Sequence, residues 1–191
     1  MRLLRSILPF VIAALTGLTA PVLADNDRGF ELAKAPGAIV IMRHALAPGI
    51  GDPDNFEVGD CTTQRNLDDR GRAQARAIGA AFRAEGIIFD EVLSSQWCRC
   101  RQTAELLGLG DVEDLPALNS FFRKYERSEP QTAELQEFLL GRLPGARIML
   151  VTHQVNIRAL TGRGTSSGEA LVLQRGEAGE VRVVGSILID P

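Results

Sequence analysis

The sequence predicts an α/β protein: a three-layer α/β/α sandwich with a mostly parallel central sheet. Two observations lead there. The runs 37–42 and 146–151 are almost wholly apolar, the pattern of short strands buried on both faces. Between them lie segments with apolar residues at every third or fourth position. Strands that alternate with amphipathic helices pack as one sheet covered on both sides. The 191 residues are 45% hydrophobic and 24% charged, enough for one sizeable core.

Arg2 and Arg5 precede an apolar run over 7–20, and Val22-Leu23-Ala24 then leads into the polar Asp25-Asn26-Asp27. This is the layout of a secretory signal peptide, with the cut expected after Ala24. The run is shorter than the roughly 20 residues that span a bilayer. Residues 1–24 are therefore expected to be the leader, and 25–191 one domain in the periplasm or secreted, with no stable membrane insertion. Without the leader the formal charge of −3 becomes −5.

The first strand, 37–42, follows a Pro36-Gly37 turn. Residues 46–63 are rich in Gly, Pro, Asp and Asn and read as a long loop, a kind usually functional in a compact domain. Ala73, Ala77, Ile78, Ala81 and Phe82 share one face of a helix over 68–85, which Gly86 ends. A second strand is expected at 87–93 and a helix at 97–107, stopped by Gly108 and Gly110. A weaker strand follows at 112–118, then irregular chain over 121–130 and a helix over 131–143. The strand at 146–151 leads into a helix over 155–160. Strands at 170–173 and 181–189 flank a turn at 176–179.

In such sheets ligands bind at the carboxyl ends of the strands. Arg43-His44 ends the first strand, Ser94-Ser95 the second, with Arg99 one turn into the next helix, and Thr152-His153 the fourth. Arginine forks grip phosphate through paired donors. One imidazole can attack phosphorus, and another can donate to its oxygens. Other chemistries are excluded. His44 and His153 are the only histidines, and Cys61, Cys98 and Cys100 the only cysteines. Neither a multi-histidine nor a four-cysteine metal site can form, and no metal is expected. No basic stripe with aromatic platforms suggests nucleic acid.

Three of these segments and a fourth agree in order with a known pattern. Ile39-Val40-Ile41-Met42-Arg43-His44 resembles the signature of the histidine phosphatase superfamily, the phosphoglycerate mutase-like fold. Leu67 to Ala75 is similar to its Leu-Thr-x-x-Gly-x-x-Gln-Ala helix start. Residues 94–104, Ser-Ser-Gln-Trp-Cys-Arg-Cys-Arg-Gln-Thr-Ala, resemble its Ser-Ser-x-Leu-x-Arg-Ala-x-x-Thr-Ala helix, and Val151 to Asn156 its second histidine segment. The resemblance runs from about 37 to 162. It implies that His44 is the nucleophile that becomes phosphohistidine, that Arg43 and Arg99 bind phosphate, and that His153 is the second pocket histidine, with no cofactor.

The sequence departs from the pattern at four places. Ala45 stands where Gly is common, Trp97 replaces Leu, and Cys100 replaces Ala. The fourth is the general acid: Leu118-Asn119-Ser120 lacks the usual Glu, and Gln154 stands where another branch has Asp. Glu126 and Glu129 are the candidates to fold back as that acid. The resemblance also brings Cys61 and the helix with Cys98 and Cys100 to the pocket rim. A disulfide from Cys61 to Cys98 or Cys100 is expected, with one thiol left free.

The expected activity is hydrolysis of a phosphomonoester outside the cytoplasm. An exported member of the family acts on a heptose phosphate of the lipopolysaccharide core, which points to an envelope glycan or lipid phosphate; a small-molecule ester is the other substrate. The alternatives are a phosphohistidine or phosphoprotein phosphatase, and a phosphate-binding or sensing protein without turnover. Loops 46–63 and 119–130 are the candidate walls of a pocket expected to be shallow.

Overall fold

The computed structural model describes residues 25–176 and 180–190. The expected leader over 1–24 and most of the turn at 176–179 lie outside the described residues. Strands β1 (Ile39–Arg43), β2 (Glu91–Ser94), β3 (Val112–Asp114), β4 (Ile148–Thr152), β5 (Ala170–Arg175) and β6 (Val181–Ile187) form one sheet in the order β3-β2-β4-β1-β5-β6. The four strands from β3 to β1 are parallel. β5 and β6 extend the sheet antiparallel. Parallel neighbours need helical crossovers, and the chain supplies them.

The helices are α1 (Asp25–Ala33), α2 (Asp69–Ala84), α3 (Cys98–Leu107), α4 (Ser128–Leu140) and α5 (Gln154–Thr161). Strand side chains alternate between the faces, so the sheet has two cores. Val40, Met42, Val92, Met149 and Val151 point one way, against Phe30 of α1, Ile78 and Phe82 of α2, and Leu107 of α3. Ile39, Ile41, Leu93, Ile148 and Leu150 point the other way, against Leu135 and Leu139 of α4 and Ile157 of α5. This is the expected three-layer sandwich.

Three elements differ from the sequence reading. The strand at 112–118 stops at Asp114, and Pro116 opens a 3-10 turn to Leu118; proline has no N–H for a ladder. Residues 87–90 precede β2 and do not join it. Helix α1 was not expected. Its start reads as polar sequence after the leader, and it is held only by tertiary contacts: Phe30 and Ala33 are buried, and the Asn26 side chain exchanges two 2.9 Å hydrogen bonds with the Leu188 backbone.

Candidate active site

Strands β1, β2 and β4 are neighbours, and their carboxyl ends deliver Arg43-His44, Ser95 and His153 to one edge of the sheet. There Arg43, His44 and His153 line a cavity of about 590 Å3. His44 and His153 are 2% and 4% exposed, with ring centroids 5.6 Å apart at a steep angle. Arg43 and Arg99 line the same cavity. The four predicted residues are together.

The segment after His44 is held by the two helix motifs on either side. The Ala45 N–H donates to Thr103 Oγ1 (3.1 Å), whose hydroxyl donates to the Arg99 carbonyl (2.7 Å). The Leu46 N–H donates to Gln74 Oε1 (3.0 Å), while Gln74 Nε2 donates to the Ser167 and Ile189 carbonyls. Gly71 lets α2 approach the same segment, for a Cβ there would overlap the Leu46 carbonyl oxygen. The Gly71, Gln74 and Thr103 positions therefore build a cradle for the residue beside the nucleophile candidate.

His44 Nδ1 lies 2.7 Å from the Ala45 carbonyl oxygen. A carbonyl only accepts, so Nδ1 carries the proton and the neutral ring keeps its lone pair on Nε2. Burial, and then the charge of Arg99, hold His44 well below the ordinary histidine range. The same two causes act on His153 in the same order. His153 Nδ1 accepts from Arg99 Nη2 (3.3 Å), which leaves Nε2 to donate to Ser95 Oγ (2.9 Å). Ser95 donates in turn to Asn119 Oδ1 (3.2 Å). Trp97, in place of the pattern's Leu, packs edge-on against His153 and stacks on Phe56. Cys100 Sγ sits 3.4 Å from His153 Nε2. Burial pushes that thiol up to about 12, so it is a packing group and not a nucleophile.

The sequence reading missed Asp52 and Arg65. Arg99 Nη1 and Nη2 donate to Asp52 Oδ1 and Oδ2, and the Trp97 indole and the Arg65 amide donate to the same carboxylate. Burial works to raise the Asp52 carboxyl, but these donors outweigh it and hold it below its usual value. Arg65 donates to the Gly51 and Ala47 carbonyls and faces the cavity. Burial lowers it to about 10, with Arg99 adding to the effect; it remains a cation at neutral pH. Buried Nε atoms of Arg43 and Arg99 have no partner among the described residues, which leaves donors free for an anion between them. The one signal for Asp52 and Arg65 was their place in or beside the long Gly/Pro/Asp loop.

Glu126 and Glu129 are not where a general acid must be. Both are exposed, and neither lines the cavity. Glu126 lies in the 3-10 turn Tyr125–Arg127 and Glu129 in the first turn of α4, and the cavity is lined from this segment by Arg123, Lys124 and Arg127 instead. Both predicted loops, 46–63 and 119–130, do form walls. Gly51, at φ +70°, packs beside Phe122 and Arg123, so the two walls meet. The disulfide joins Cys61 to Cys98, and Cys100 is the free, buried thiol. It ties the loop carrying Arg65 to the first turn of α3, where the Cys98 N–H also donates to Gln64 Oε1 (2.9 Å).

The profile of the histidine phosphatase superfamily (branch 1) matches residues 39–139. The chain belongs to that superfamily. Its phosphoglycerate mutase-like fold returns in solved structures. The protein histidine phosphatase SixA bound to tungstate superposes with a TM-score of 0.55 at 19% identity, covering 78% of this chain and 96% of that one. Alpha-ribazole phosphatase from Shigella flexneri gives 0.57 at 17%, covering 81% and 100%. Among curated sequences, the mitochondrial serine/threonine-protein phosphatase Pgam5 of Drosophila virilis is 31% identical over 83 residues, 44% of this chain. That match spans only 26% of the fly protein.

Proposed function

We propose that this histidine phosphatase superfamily member is an exported phosphatase that hydrolyses phosphate monoesters through a phosphohistidine on His44. The observation that carries the reading is the state of that ring: Nδ1 is tied to the Ala45 carbonyl, and the Nε2 lone pair lies in a cavity flanked by Arg43, Arg99 and His153. The Nε2 lone pair forms the N–P bond as the ester P–O bond breaks, and the leaving oxygen takes a proton from water. Water then attacks phosphorus, the P–N bond breaks, and inorganic phosphate leaves with His44 restored. Arg43 and Arg99 hold the phosphoryl oxygens throughout. The incoming dianion offsets the cationic surroundings of His153, which takes up a proton and donates to the oxygen on which charge builds.

Export rests on residues 1–24, and the Cys61–Cys98 disulfide fits an oxidising compartment. An envelope glycan or lipid phosphate is the substrate class that such a location offers. Two relatives are protein phosphatases by name, so a phosphohistidine protein and a phosphoserine peptide belong on the substrate panel.

The test is turnover of that panel by the protein lacking residues 1–24, with rapid quenching to trap phosphoprotein. The expected intermediate is acid-labile and base-stable, as a phosphoramidate is. His44→Ala should abolish both signals; undiminished turnover by that variant refutes the proposal. Tight phosphate binding without any turnover would favour the sensing reading.

A further inference from the structure

The Cys61–Cys98 bridge lies beside the site and outside both cores. Cys61 is exposed, in a one-turn 3-10 helix without buried residues, and Cys98 is half-buried at the first position of α3. Neither belongs to the apolar clusters on the two faces of the sheet. Residues 46–66 carry no helix or strand beyond that one turn. The chain has three cysteines, so this bridge is the loop's one covalent tie to α3.

What the bridge joins is the machinery of the cavity. Cys98 precedes Arg99. On the other side, the segment that follows Cys61 converges on the same arginine. The Arg65 carbonyl accepts from Arg99 Nη1 (3.3 Å), and the Arg65 amide donates to Asp52 Oδ1 (3.1 Å). Arg99 therefore makes three hydrogen bonds to this loop, two to Asp52 and one to Arg65. Gln64 adds one buried polar link, accepting from the Cys98 N–H on Oε1 and donating to the Glu57 carbonyl (3.0 Å). The third cysteine stays out of any exchange. Cys100 is fully buried against His153, and burial keeps it a thiol, whereas only a thiolate attacks a disulfide. The pair thus has two states, bridged and open, with no reshuffled third.

We infer that Cys61–Cys98 is a site of thiol–disulfide exchange with a dithiol reductant, and that opening it switches the cavity off; the effect on turnover rests on the phosphatase reading. A thiolate of the dithiol attacks the exposed Cys61 sulfur, the S–S bond breaks, and Cys98 leaves as a thiolate. The second thiolate of the dithiol attacks its partner sulfur in the mixed disulfide and frees Cys61. The protein gains two electrons and two protons, and the dithiol loses both and becomes a disulfide. Without the tie, the loop leaves α3 and takes Asp52 and Arg65 with it. The Arg99 fork then loses the partners that orient it beside His153. Unlike the loss of Asp52 alone, opening removes a cation together with the carboxylate. An incoming anion gains nothing in charge and loses the wall that encloses it.

The probe is dithiothreitol. The purified protein is compared bridged, reduced, and reoxidised with glutathione disulfide. The readouts are turnover of para-nitrophenyl phosphate and equilibrium binding of inorganic phosphate, with circular dichroism following the fold in the same samples. Reduction is expected to lower kcat/KM and phosphate affinity by about tenfold or more, and reoxidation to restore both. Cys61→Ser/Cys98→Ser should show the reduced values and ignore dithiothreitol. Equal values in the bridged and reduced protein, with two labelled thiols proving reduction, overturn the inference. So does a native bridge that dithiothreitol leaves intact, or a loss that runs in step with unfolding, since the bridge would then act on stability alone. If neither form turns over any phosphate ester while phosphate binding still switches, the phosphatase reading fails and the exchange site stands.

Discussion

Arg99 and Asp52 face each other inside the cavity, Nη1 to Oδ1 at 2.6 Å and Nη2 to Oδ2 at 3.2 Å. The arginine side chain is 3% exposed and the carboxylate 15%. Asp52 therefore holds the Arg99 fork in place and supplies its counter-charge. Removing one partner of a buried pair leaves the other uncompensated. Asp52→Ala is expected to lower stability by about 3 kcal/mol in urea unfolding. Inorganic phosphate should then stabilise the variant more than the wild type, because the dianion replaces the lost carboxylate. Equal phosphate effects in the two proteins would mean that Asp52 does not share the anion's place.

Acid should affect rate and stability differently. Both histidines lie well below their ordinary value through burial first and Arg99 next. His44, the proposed nucleophile, therefore stays unprotonated where a free imidazole would not, and the acid limb of kcat/KM for the free enzyme should fall below pH 6.5. In the unfolded chain both rings take up protons near pH 6.5. Their contribution to stability is complete above that pH and is lost as the pH falls towards their folded values. The loss approaches about 1.4 kcal/mol per pH unit for each ring. Urea unfolding between pH 7.5 and 5 reads this slope, and His153→Gln should reduce it. The same slope in that variant would exclude His153 as its source.

The disulfide closes a chain segment with a sequence separation of 37. Restricting the unfolded chain over that length is worth about 4 kcal/mol in the loop-entropy description. Cys61→Ser should cost most of that in the oxidised protein and nothing relative to the reduced wild type. Thiol labelling should find no reactive cysteine in the native oxidised protein, two after mild reduction, and Cys100 only on unfolding. Rapid native labelling of Cys100 would contradict its burial against His153.

Gly71→Ala should act on the site without touching it. The added methyl group meets the Leu46 carbonyl, so α2 must shift away from the segment that follows His44. The expected effect is a loss of about 2 kcal/mol in stability, together with a drop in turnover larger than any change in KM. Gln74→Leu strands the Leu46 N–H and two carbonyl groups, and should fall in the same class. Full activity in both variants would separate the cradle from the chemistry.

The core of this protein is readable from local pattern. Buried strands such as 39–43 and 148–152 are marked by unbroken apolar residues, and α2 by its 3.6-residue stripe. Arg43, His44, Arg99 and His153 are readable for a related reason: each stands at or just beyond the carboxyl end of a parallel strand, and strand order puts those ends side by side. Helix α1 carries no such mark, because its polar start masks a stripe that is buried only by tertiary contacts with β6 and with Phe82 of α2.

The remainder of the site depends on contacts between residues far apart in the chain. Asp52 and Arg99 are 47 positions apart, with no periodicity to announce the pairing; the Cys61 bridge is legible only through the family resemblance, and the structure decides for Cys98 over Cys100. Glu126 and Glu129 lie a few residues beyond the place of the usual acid and do not fold back; they are exposed, and Arg123, Lys124 and Arg127 line the cavity instead. Hydrophobic pattern and strand ends determine where the chemistry is held. Loop closure, decided by long-range hydrogen bonds and ion pairs, sets what charge surrounds it.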